Sequence, residues 1–187
     1  MGGDLINKMV PYPDDTFTEN YLRELSAKDR KYEILVRLGL ETGLRVSDIL
    51  RLKVKDIKSV MKVKEMKTKK IKNINLSESL LAQTKNYCVS RNLNKNDFVI
   101  ASARYRRDKP LSRVQAYRVL SSVASKMGVT NVAPHSMRKT YAVNLLRESG
   151  SIESVQRALN HKYPDTTIGY LTGKSITEMA YEVMGLK

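Results

Sequence analysis

The sequence predicts a single α+β domain that is mostly α-helical and carries one small antiparallel β-sheet. Several segments have apolar residues three and four positions apart, and each is flanked by residues that begin or end helices. One stretch, residues 54–76, instead alternates apolar and charged residues, as strands with one buried face do. With 187 residues, of which 41% are hydrophobic, the chain is long enough for one sizeable core.

The N-terminal half is predicted to contain an arm, three helices and the sheet. Residues 1–16 are rich in Gly, Pro and Asp and are expected to form a flexible arm. Helical patterns follow at about residues 18–25, 31–42 and from 47 onward. Gly43 is placed to end the second helix, and Ser47 to cap the third. The run Lys67-Thr68-Lys69-Lys70 interrupts the alternating stretch and predicts a basic turn between two strands.

The C-terminal half is predicted to be helical apart from one interruption. That interruption comprises a loop at 92–96, a short buried segment at 98–100 and a basic loop at 101–110. Helices are expected at about residues 77–91, 112–127, 134–149, 151–160 and 176–184. There is no internal repeat and no low-complexity tract, so one domain accounts for the whole pattern.

The charge of the chain points to a polyanionic partner. Lys and Arg total 34 against 19 Asp and Glu, which gives a formal net charge of +15. The basic residues are dispersed and do not line one amphipathic helix, so nucleic acid is favoured over an anionic membrane surface. A solvated basic surface or a ribosome-associated protein is the alternative explanation of the charge alone.

The cysteine and histidine content argues against disulfides and metals. Cys88 is the single cysteine, so no internal disulfide can form, which suits a reducing cytoplasm. His135 and His161 are far apart and no cysteine is near them, so they form no zinc pattern. Neither a metal nor a cofactor is therefore predicted. The sequence also has no signal peptide and no apolar run of the roughly 18 residues that a membrane span needs.

Several residues have the chemical types that strand transfer on DNA needs when no metal takes part. A tyrosine hydroxyl such as that of Tyr170 can attack phosphorus, and the phosphotyrosine conserves the energy of the phosphodiester. The guanidinium groups of Arg45 and Arg138 can hold the two nonbridging oxygens bidentately and remain charged at any working pH. Such a pair can do the work that a divalent cation does elsewhere.

Four motifs occur in one order along the chain. They are Thr42-Gly43-Leu44-Arg45-Val46-Ser47-Asp48, Glu65-Met66-Lys67-Thr68-Lys69, Pro134-His135-Ser136-Met137-Arg138-Lys139-Thr140-Tyr141-Ala142, and the segment LNHKYPDTTIGY at 159–170. Each motif alone is weak or moderate evidence. Together, from about residue 17 to 187, they resemble the catalytic domain of the tyrosine recombinases, the phage integrase family, and they imply its fold.

The resemblance implies a role for each residue of the site. Arg45 and Arg138 would bind the scissile phosphate, and Asp48 would orient Arg45. Lys67 would protonate the leaving 5′-oxygen, with Lys69 and Lys70 as close rivals for that role. His135 would assist proton transfer and phosphate binding, His161 would hydrogen-bond the phosphate, and Tyr170 would be the nucleophile. Asn160 stands where the family commonly has Gly, but Asn tolerates the left-handed conformation that such a turn requires.

The expected partner is double-stranded DNA containing a specific recombination site. Further DNA contacts are expected from basic residues outside the six catalytic positions: Lys69, Lys70, Arg104, Arg106, Arg107, Arg113 and Lys139. The family links its protomers by a C-terminal helix donated in trans, and the apolar stripe at 176–184 suits that exchange. We therefore expect a monomer in solution and a homotetramer on DNA.

The predicted function is that of a site-specific DNA recombinase or integrase catalytic domain, spanning residues 17–187. It would cleave and rejoin strands through a 3′-phosphotyrosine, in the cytoplasm of a prokaryote or encoded by a phage or mobile element. Residues 1–16 are too few for the N-terminal helical domain that most members carry, so a natural single-domain enzyme and an excised catalytic domain both remain open. The alternatives are a type IB topoisomerase-like activity, a non-catalytic DNA-binding regulator on the same fold, and a general basic nucleic-acid-binding protein.

Overall fold

The computed structural model describes residues 9–103, 106–160 and Thr167, with the backbone alone at Ala103 and Arg106. The predictions for His161, Tyr170, Arg104 and the helix at 176–184 lie outside the described residues. Within them the fold is mostly helical with two small antiparallel sheets, which confirms the α+β class and corrects the predicted number of sheets.

The helices and strands follow the predicted order. The elements are α1 (Asp15–Lys28), α2 (Arg30–Thr42), α3 (Val46–Ile49), a 3-10 turn (Val54–Asp56), β1 (Val60–Lys64), β2 (Ile71–Asn75), α4 (Glu78–Ser90), β3 (Ala101–Ala103), β4 (Arg106–Pro110), α5 (Arg113–Lys126), α6 (Pro134–Ser149) and α7 (Ile152–Leu159). None of the helices in the described ranges is both long and apolar enough to cross a membrane.

Residues 9–14 are packed against the domain, whereas the sequence predicted a flexible arm over 1–16. The Tyr12 N–H donates to Thr140 Oγ1 at 2.8 Å, and the Val10 N–H donates to the carbonyl of Asn131 at 3.2 Å. The Tyr12 side chain is buried, and its ring meets that of Tyr21 edge-on with centroids 5.4 Å apart. One buried aromatic residue thus anchors a segment whose Gly, Pro and Asp content suggested a loose chain.

Two glycines bring α2 unusually close to α6. A Cβ atom at Gly39 would lie 2.7 Å from Met137 Sδ, and one at Gly43 would collide with the Tyr141 ring. Gly43 also has φ 61°, which makes it the left-handed C-cap of α2 that the sequence predicts. The close approach sets the end of α2 directly beside the helix that carries His135 and Arg138.

The β1–β2 hairpin forms with the predicted basic turn. Met61 and Val63 face inward from β1, and Glu65 continues the same face with a relative exposure of 1%. The chain then reverses, because the Glu65 N–H donates to the Lys70 carbonyl at 3.0 Å and the Lys69 N–H donates to the Glu65 carbonyl at 2.9 Å. Residues 66–70, called the hairpin tip below, therefore project from a fixed base.

A second hairpin replaces the basic loop predicted at 101–110, so that prediction is wrong. Ala101 pairs with Pro110 across the short sheet of β3 and β4, and the Leu111 N–H donates to the Ile100 carbonyl at 2.8 Å. Asp108 and Lys109 lie on opposite faces of β4, and both are exposed. A strand exposed on both faces lacks the apolar alternation by which strands are recognised in sequence.

Candidate active site

Arg45 lies in the turn between α2 and α3. Its backbone is extended (φ −68°, ψ 145°) and α3 begins at Val46, so Arg45 precedes the helix that contains Asp48. Nη1 of Arg45 donates to Oε1 of Glu65 at 2.8 Å, and 17% of the Arg45 side chain is exposed. The guanidinium is thus bonded to a carboxylate and remains partly exposed.

Arg138 lies on the first turns of α6 and is almost fully enclosed. Its Nη1 donates to the Gly43 carbonyl at 2.5 Å and its Nη2 to the Leu159 carbonyl at 2.7 Å. These two carbonyls belong to the C-terminal ends of α2 and α7, where helix carbonyls lack partners within their own helix. Arg138 therefore joins three helices and is held in one orientation. Arg45 and Arg138 are called the arginine clamp below.

Glu65 is the buried carboxylate on which the clamp converges. Besides Arg45 it lies 3.9 Å from Nη1 of Arg138, and its Oε2 accepts from Thr68 Oγ1 and from Asn160 Nδ2, each at 2.8 Å. Burial raises the pKa of Glu65, but the hydrogen bonds from Thr68 and Asn160 and the two guanidinium charges outweigh it and hold the pKa below its ordinary value.

Glu65 is a residue of the candidate site that sequence reasoning missed. The signal was available, because Met61, Val63 and Glu65 alternate along one strand and so share its inward face. A carboxylate that continues a buried strand face requires cationic or hydrogen-bonding partners.

Asp48 does not make the contact that the sequence predicted for it. The carboxylate bonded to Arg45 is that of Glu65, whereas Oδ1 of Asp48 accepts from the Met66 N–H at 2.9 Å. Burial raises the pKa of Asp48, although the Met66 hydrogen bond and the charges of Arg45 and Arg138 oppose the shift. Asp48 thus supports the base of the hairpin tip, and its effect on Arg45 is one of charge.

His135 lies in the first turn of α6, three residues before Arg138, on the same face of the helix. Burial, followed by the charges of Arg138, Arg45, Lys139 and Lys67, lowers its pKa to about 4. The imidazole is therefore neutral at pH 7, so that one ring nitrogen donates a hydrogen bond and the other can accept a hydrogen bond or a proton. His135 thus lies within the electrostatic reach of both arginines.

Lys67 projects from the hairpin tip and is exposed. Its charge nevertheless reaches His135, since it is one of the groups that lower the pKa of that imidazole. Lys69 and Lys70 are exposed as well, and Lys69 has the left-handed φ of 60° that closes the turn. Thr68 turns inward and donates to Glu65, so the tip is tied to the clamp by the residue next to Lys67.

Lys72, on β2, is a second residue that the sequence interpretation missed. Its Nζ donates to the Thr42 carbonyl at 2.8 Å and lies 5.6 Å from the centre of the Tyr141 ring. Burial and the charge of Arg138 lower its pKa to about 8, against a smaller opposing effect of Glu65. A cation at the C-terminal end of α2 is favourable, and this one fixes the turn that leads to Arg45.

Asn160 takes the left-handed conformation expected of it, with φ 53° and ψ 36° as the C-cap of α7. Its side chain does more than tolerate the turn, because Nδ2 hydrogen-bonds to Glu65. His161 is the next residue in the sequence and lies outside the described residues, as does Tyr170.

The predicted DNA-contact residues differ in accessibility. Arg113 is exposed at the beginning of α5, and Arg107 donates from Nη1 to the Asn92 carbonyl at 2.5 Å. Lys139 is buried, with a relative exposure of 6%, which argues against a contact with DNA from the open surface. The structure does not describe Arg104 or the side chain of Arg106.

The arrangement is suited to binding a phosphate group. Arg45 and Arg138 bring two guanidinium groups to one carboxylate, and 17% of the Arg45 side chain is exposed. Each guanidinium has five N–H groups and can bond to more than one acceptor. Neutral His135 and the Lys67 ammonium, which lowers the pKa of that histidine, add two groups that can transfer protons. In the described part of the chain, no group of three or more His, Cys, Asp and Glu side chains could hold a metal ion.

Known proteins of one family are similar to this chain in sequence. The sequence profile described as "Phage integrase family" matches residues 15–175. The chain is 35% identical over 161 residues to the probable integrase/recombinase YoeC of Bacillus subtilis, covering 84% of this chain and 87% of that protein. It is 31% identical over 163 residues to the tyrosine recombinase XerA of Pyrococcus furiosus, covering 84% of this chain and 56% of XerA.

Solved structures resemble the chain in fold. A crystal structure of XerA recombinase has a TM-score of 0.71 at 23% identity, over 95% of this chain and 64% of that one. XerH site-specific recombinase bound to its difH substrate has a TM-score of 0.69 at 20% identity, over 94% of this chain and 54% of that one. The chain thus spans nearly all of YoeC in sequence but only about half to two thirds of these longer recombinases.

Proposed function

The chain belongs to the phage integrase family, and we propose that it cleaves and rejoins DNA at a specific site through a covalent 3′-phosphotyrosine, without a metal ion or ATP. The protein would act as the catalytic part of a site-specific recombinase or integrase. Its DNA substrate and its strand exchange are parts of this proposal.

The arginine clamp is the observation that carries the proposal. Arg45 and Arg138 come from segments 93 residues apart (138 − 45), yet both contact the same carboxylate, with Oε1 of Glu65 at 2.8 Å and 3.9 Å. Two fixed guanidinium groups can bind both nonbridging oxygens of one phosphodiester and stabilise the charge that develops on them.

The proposed cleavage step forms one bond and breaks one. Oη of Tyr170 attacks phosphorus, so the Tyr170 Oη–P bond forms while the bond from phosphorus to the 5′-oxygen breaks. Nζ of Lys67 gives a proton to the departing 5′-oxygen. His135 is neutral in the free protein and can take the proton from the phenol. Rejoining runs the same transfers in reverse, with a 5′-hydroxyl as the nucleophile.

Covalent capture from a randomised DNA pool tests the function and identifies the preferred site in one experiment. The protein is incubated in EDTA with nicked duplexes of random sequence, in which loss of a short fragment beyond the nick prevents rejoining. SDS-resistant protein–DNA adducts are recovered, amplified and sequenced, and the peptide that bears the nucleotide is identified by mass spectrometry. We expect one enriched sequence and attachment at Tyr170.

The Tyr170→Phe variant is the matched control for this capture. It keeps the aromatic ring and lacks only the attacking oxygen, so it should bind the enriched duplex and form no adduct. An adduct on Tyr170→Phe would assign the nucleophile to another residue. Binding without an adduct by the wild-type protein would indicate a DNA-binding regulator, and adducts without an enriched sequence would indicate topoisomerase-like cleavage.

The proposal extends to assembly and location. We infer a monomer in solution and a tetramer on DNA, linked by exchange of the C-terminal segment at about 176–184, because recombination requires four strand cleavages on two duplexes. A protein lacking residues 175–187 should bind one site but not join two sites, as measured by light scattering on the captured duplex. The single cysteine, Cys88, is compatible with the proposed cytoplasmic location.

A further inference from the structure

Glu65 connects three parts of the candidate site through one carboxyl group. Its Oε1 accepts from Arg45, while its Oε2 accepts from Asn160 and from Thr68, which neighbours Lys67 in the hairpin tip. Asn160 in turn ends α7 and directly precedes His161 in the sequence. A change at Glu65 would thus reach the clamp, the tip and the end of α7 together.

The burial of Glu65 distinguishes a carboxylate that occupies the phosphate position from one that supports the arginines. A carboxylate that occupied the phosphate position in the free protein would have to be displaced by DNA, and it would lie at least as far outward as the arginines. Glu65 is instead buried, with 1% of its side chain exposed against 17% for Arg45. An incoming phosphate would therefore meet Arg45 at its exposed side, with Glu65 on the buried side.

Among the described residues, Glu65 is the acceptor that holds the guanidinium of Arg45. Arg138, by contrast, is already held by the carbonyls of Gly43 and Leu159. Glu65 supplies to Arg45 what two backbone carbonyls supply to Arg138, namely a fixed acceptor that sets the plane of the guanidinium.

We propose that Glu65 is a positioning residue that fixes the guanidinium of Arg45 from behind for the scissile phosphate, with Asn160 as its second support. This inference rests on the proposed function. It is distinct from that function, because the protein could form the phosphotyrosine even if Glu65 served only to fill the space behind the clamp.

The test compares two DNA substrates and four proteins. The duplex obtained by covalent capture on the wild-type protein is synthesised with an ordinary phosphate or with a methylphosphonate at the cleaved position. In a methylphosphonate a methyl group replaces one charged nonbridging oxygen. Less negative charge therefore develops at the phosphorus centre during cleavage, and a guanidinium has less charge to stabilise. Single-turnover rates of adduct formation at saturating DNA are measured for the wild type, Glu65→Gln, Arg45→Ala and the double variant.

If Glu65 acts through Arg45, both single variants should lose rate mainly on the phosphate substrate. We expect Glu65→Gln to cleave it about 10- to 100-fold more slowly, the loss typical when an outer partner that orients an active-site group is removed. On the methylphosphonate substrate that loss should shrink by a factor similar to the one seen for Arg45→Ala. The double variant should be no slower than Arg45→Ala, and noncovalent binding of DNA should not weaken.

Two further variants control for stability and for the second support. Asp29→Asn removes a carboxylate that holds Arg91 at 2.6 Å elsewhere in the domain, and it should leave the ratio of the two rates unchanged. Asn160→Gly keeps the left-handed turn but removes the amide donor to Glu65. It should give a smaller loss in the same direction as Glu65→Gln, and none in the Glu65→Gln background.

Three results would overturn the inference. An equal loss by Glu65→Gln on both substrates would indicate a structural role only, as would full recovery of its rate at a temperature further below its melting temperature. Faster cleavage by Glu65→Gln than by the wild type would show that the carboxylate competes with the phosphate. Absence of any adduct with the wild-type protein would instead refute the proposed function on which the inference rests.

Discussion

The arginine clamp and the hairpin tip lie side by side but are built differently. Arg138 is enclosed and bonded to two helix-end carbonyls, and Arg45 rests on a buried carboxylate. Lys67, which the sequence assigns to leaving-group protonation, is exposed on a turn of five residues (66–70). The charges that would bind the phosphate are thus set in place before DNA arrives, whereas the group that would donate a proton stands in solvent.

This difference suits the two tasks. Electrostatic stabilisation is strongest when its dipoles and charges need no reorganisation during the reaction, which favours burial and fixed partners. A lysine that donates a proton must first be protonated, and burial would disfavour its ammonium form. The contrast between the two regions leads to four predictions, in order of expected effect.

Lys67 is expected to give the largest loss among these residues. Lys67→Ala should slow cleavage of an ordinary phosphodiester by about 10²- to 10⁴-fold, the usual contribution of a general acid. A 5′-bridging phosphorothiolate at the cleaved position should restore the rate, because a thiolate leaves without being protonated. Rescue of Lys69→Ala or Lys70→Ala, and not of Lys67→Ala, would assign the role to a different lysine of the tip.

Arg138 is expected to be intolerant even of lysine. Arg138→Lys should lose nearly as much rate as Arg138→Ala, about 10²- to 10³-fold, because an ammonium cannot bridge two oxygens as a planar guanidinium does. No phosphorothiolate rescue is expected, which separates the clamp from the tip. Both variants should also melt at a lower temperature than the wild type, since Gly43 and Leu159 lose the partner of their carbonyls. Unaltered activity in Arg138→Lys would be inconsistent with a bidentate clamp.

The stability of the protein should depend on pH through the lowered pKa of His135. Its pKa of about 4 in the folded protein lies below the ordinary 6.5, so protons bind the unfolded chain more tightly. The free energy of unfolding should therefore fall as the pH is lowered from 6.5 toward 4. The His135→Gln variant should lack this part of the pH dependence. The C–H resonances of the imidazole, assigned with the aid of His161→Gln, report the pKa directly. A midpoint near 6.5 in the free protein would contradict the packing described for His135.

Lys69 and Lys70 should have the smallest effects. Each is exposed, and we expect each alanine variant to weaken DNA binding and to reduce the slope of log K against log salt by about one unit. The cleavage rate at saturating DNA should remain that of the wild type. A loss of rate that persists at saturation would place the altered lysine within the catalytic chemistry.

Much of the fold could be predicted because its signals are local. Helix periodicity, the C-cap at Gly43 and the basic turn of the first hairpin all depend on neighbouring residues, and the structure confirms them. The second hairpin was missed because β4 is exposed and carries no apolar alternation. The packing of residues 9–14 was missed because it depends on Tyr12 meeting residues far away in the sequence.

The sequence pointed to several residues that the fold brings together, but not to their connections. The motifs named Arg45 and Arg138, whose guanidinium groups meet at Glu65, and His135, whose pKa both arginines lower. The resemblance also suggested that Asp48 orients Arg45, whereas the bonded carboxylate comes from another element. Which of two carboxylates meets an arginine depends on strand register and burial, and spacing along the chain does not contain that information.

In the proposed reaction the arginine clamp does the work of a divalent cation. The decisive measurement is the single-turnover rate of covalent adduct formation on the captured duplex, in EDTA and in magnesium, for the wild-type protein. We predict the same rate in both, with all adducts at Tyr170, because the positive charge at the phosphate comes from Arg45 and Arg138. Adduct formation only in the presence of magnesium would contradict the account.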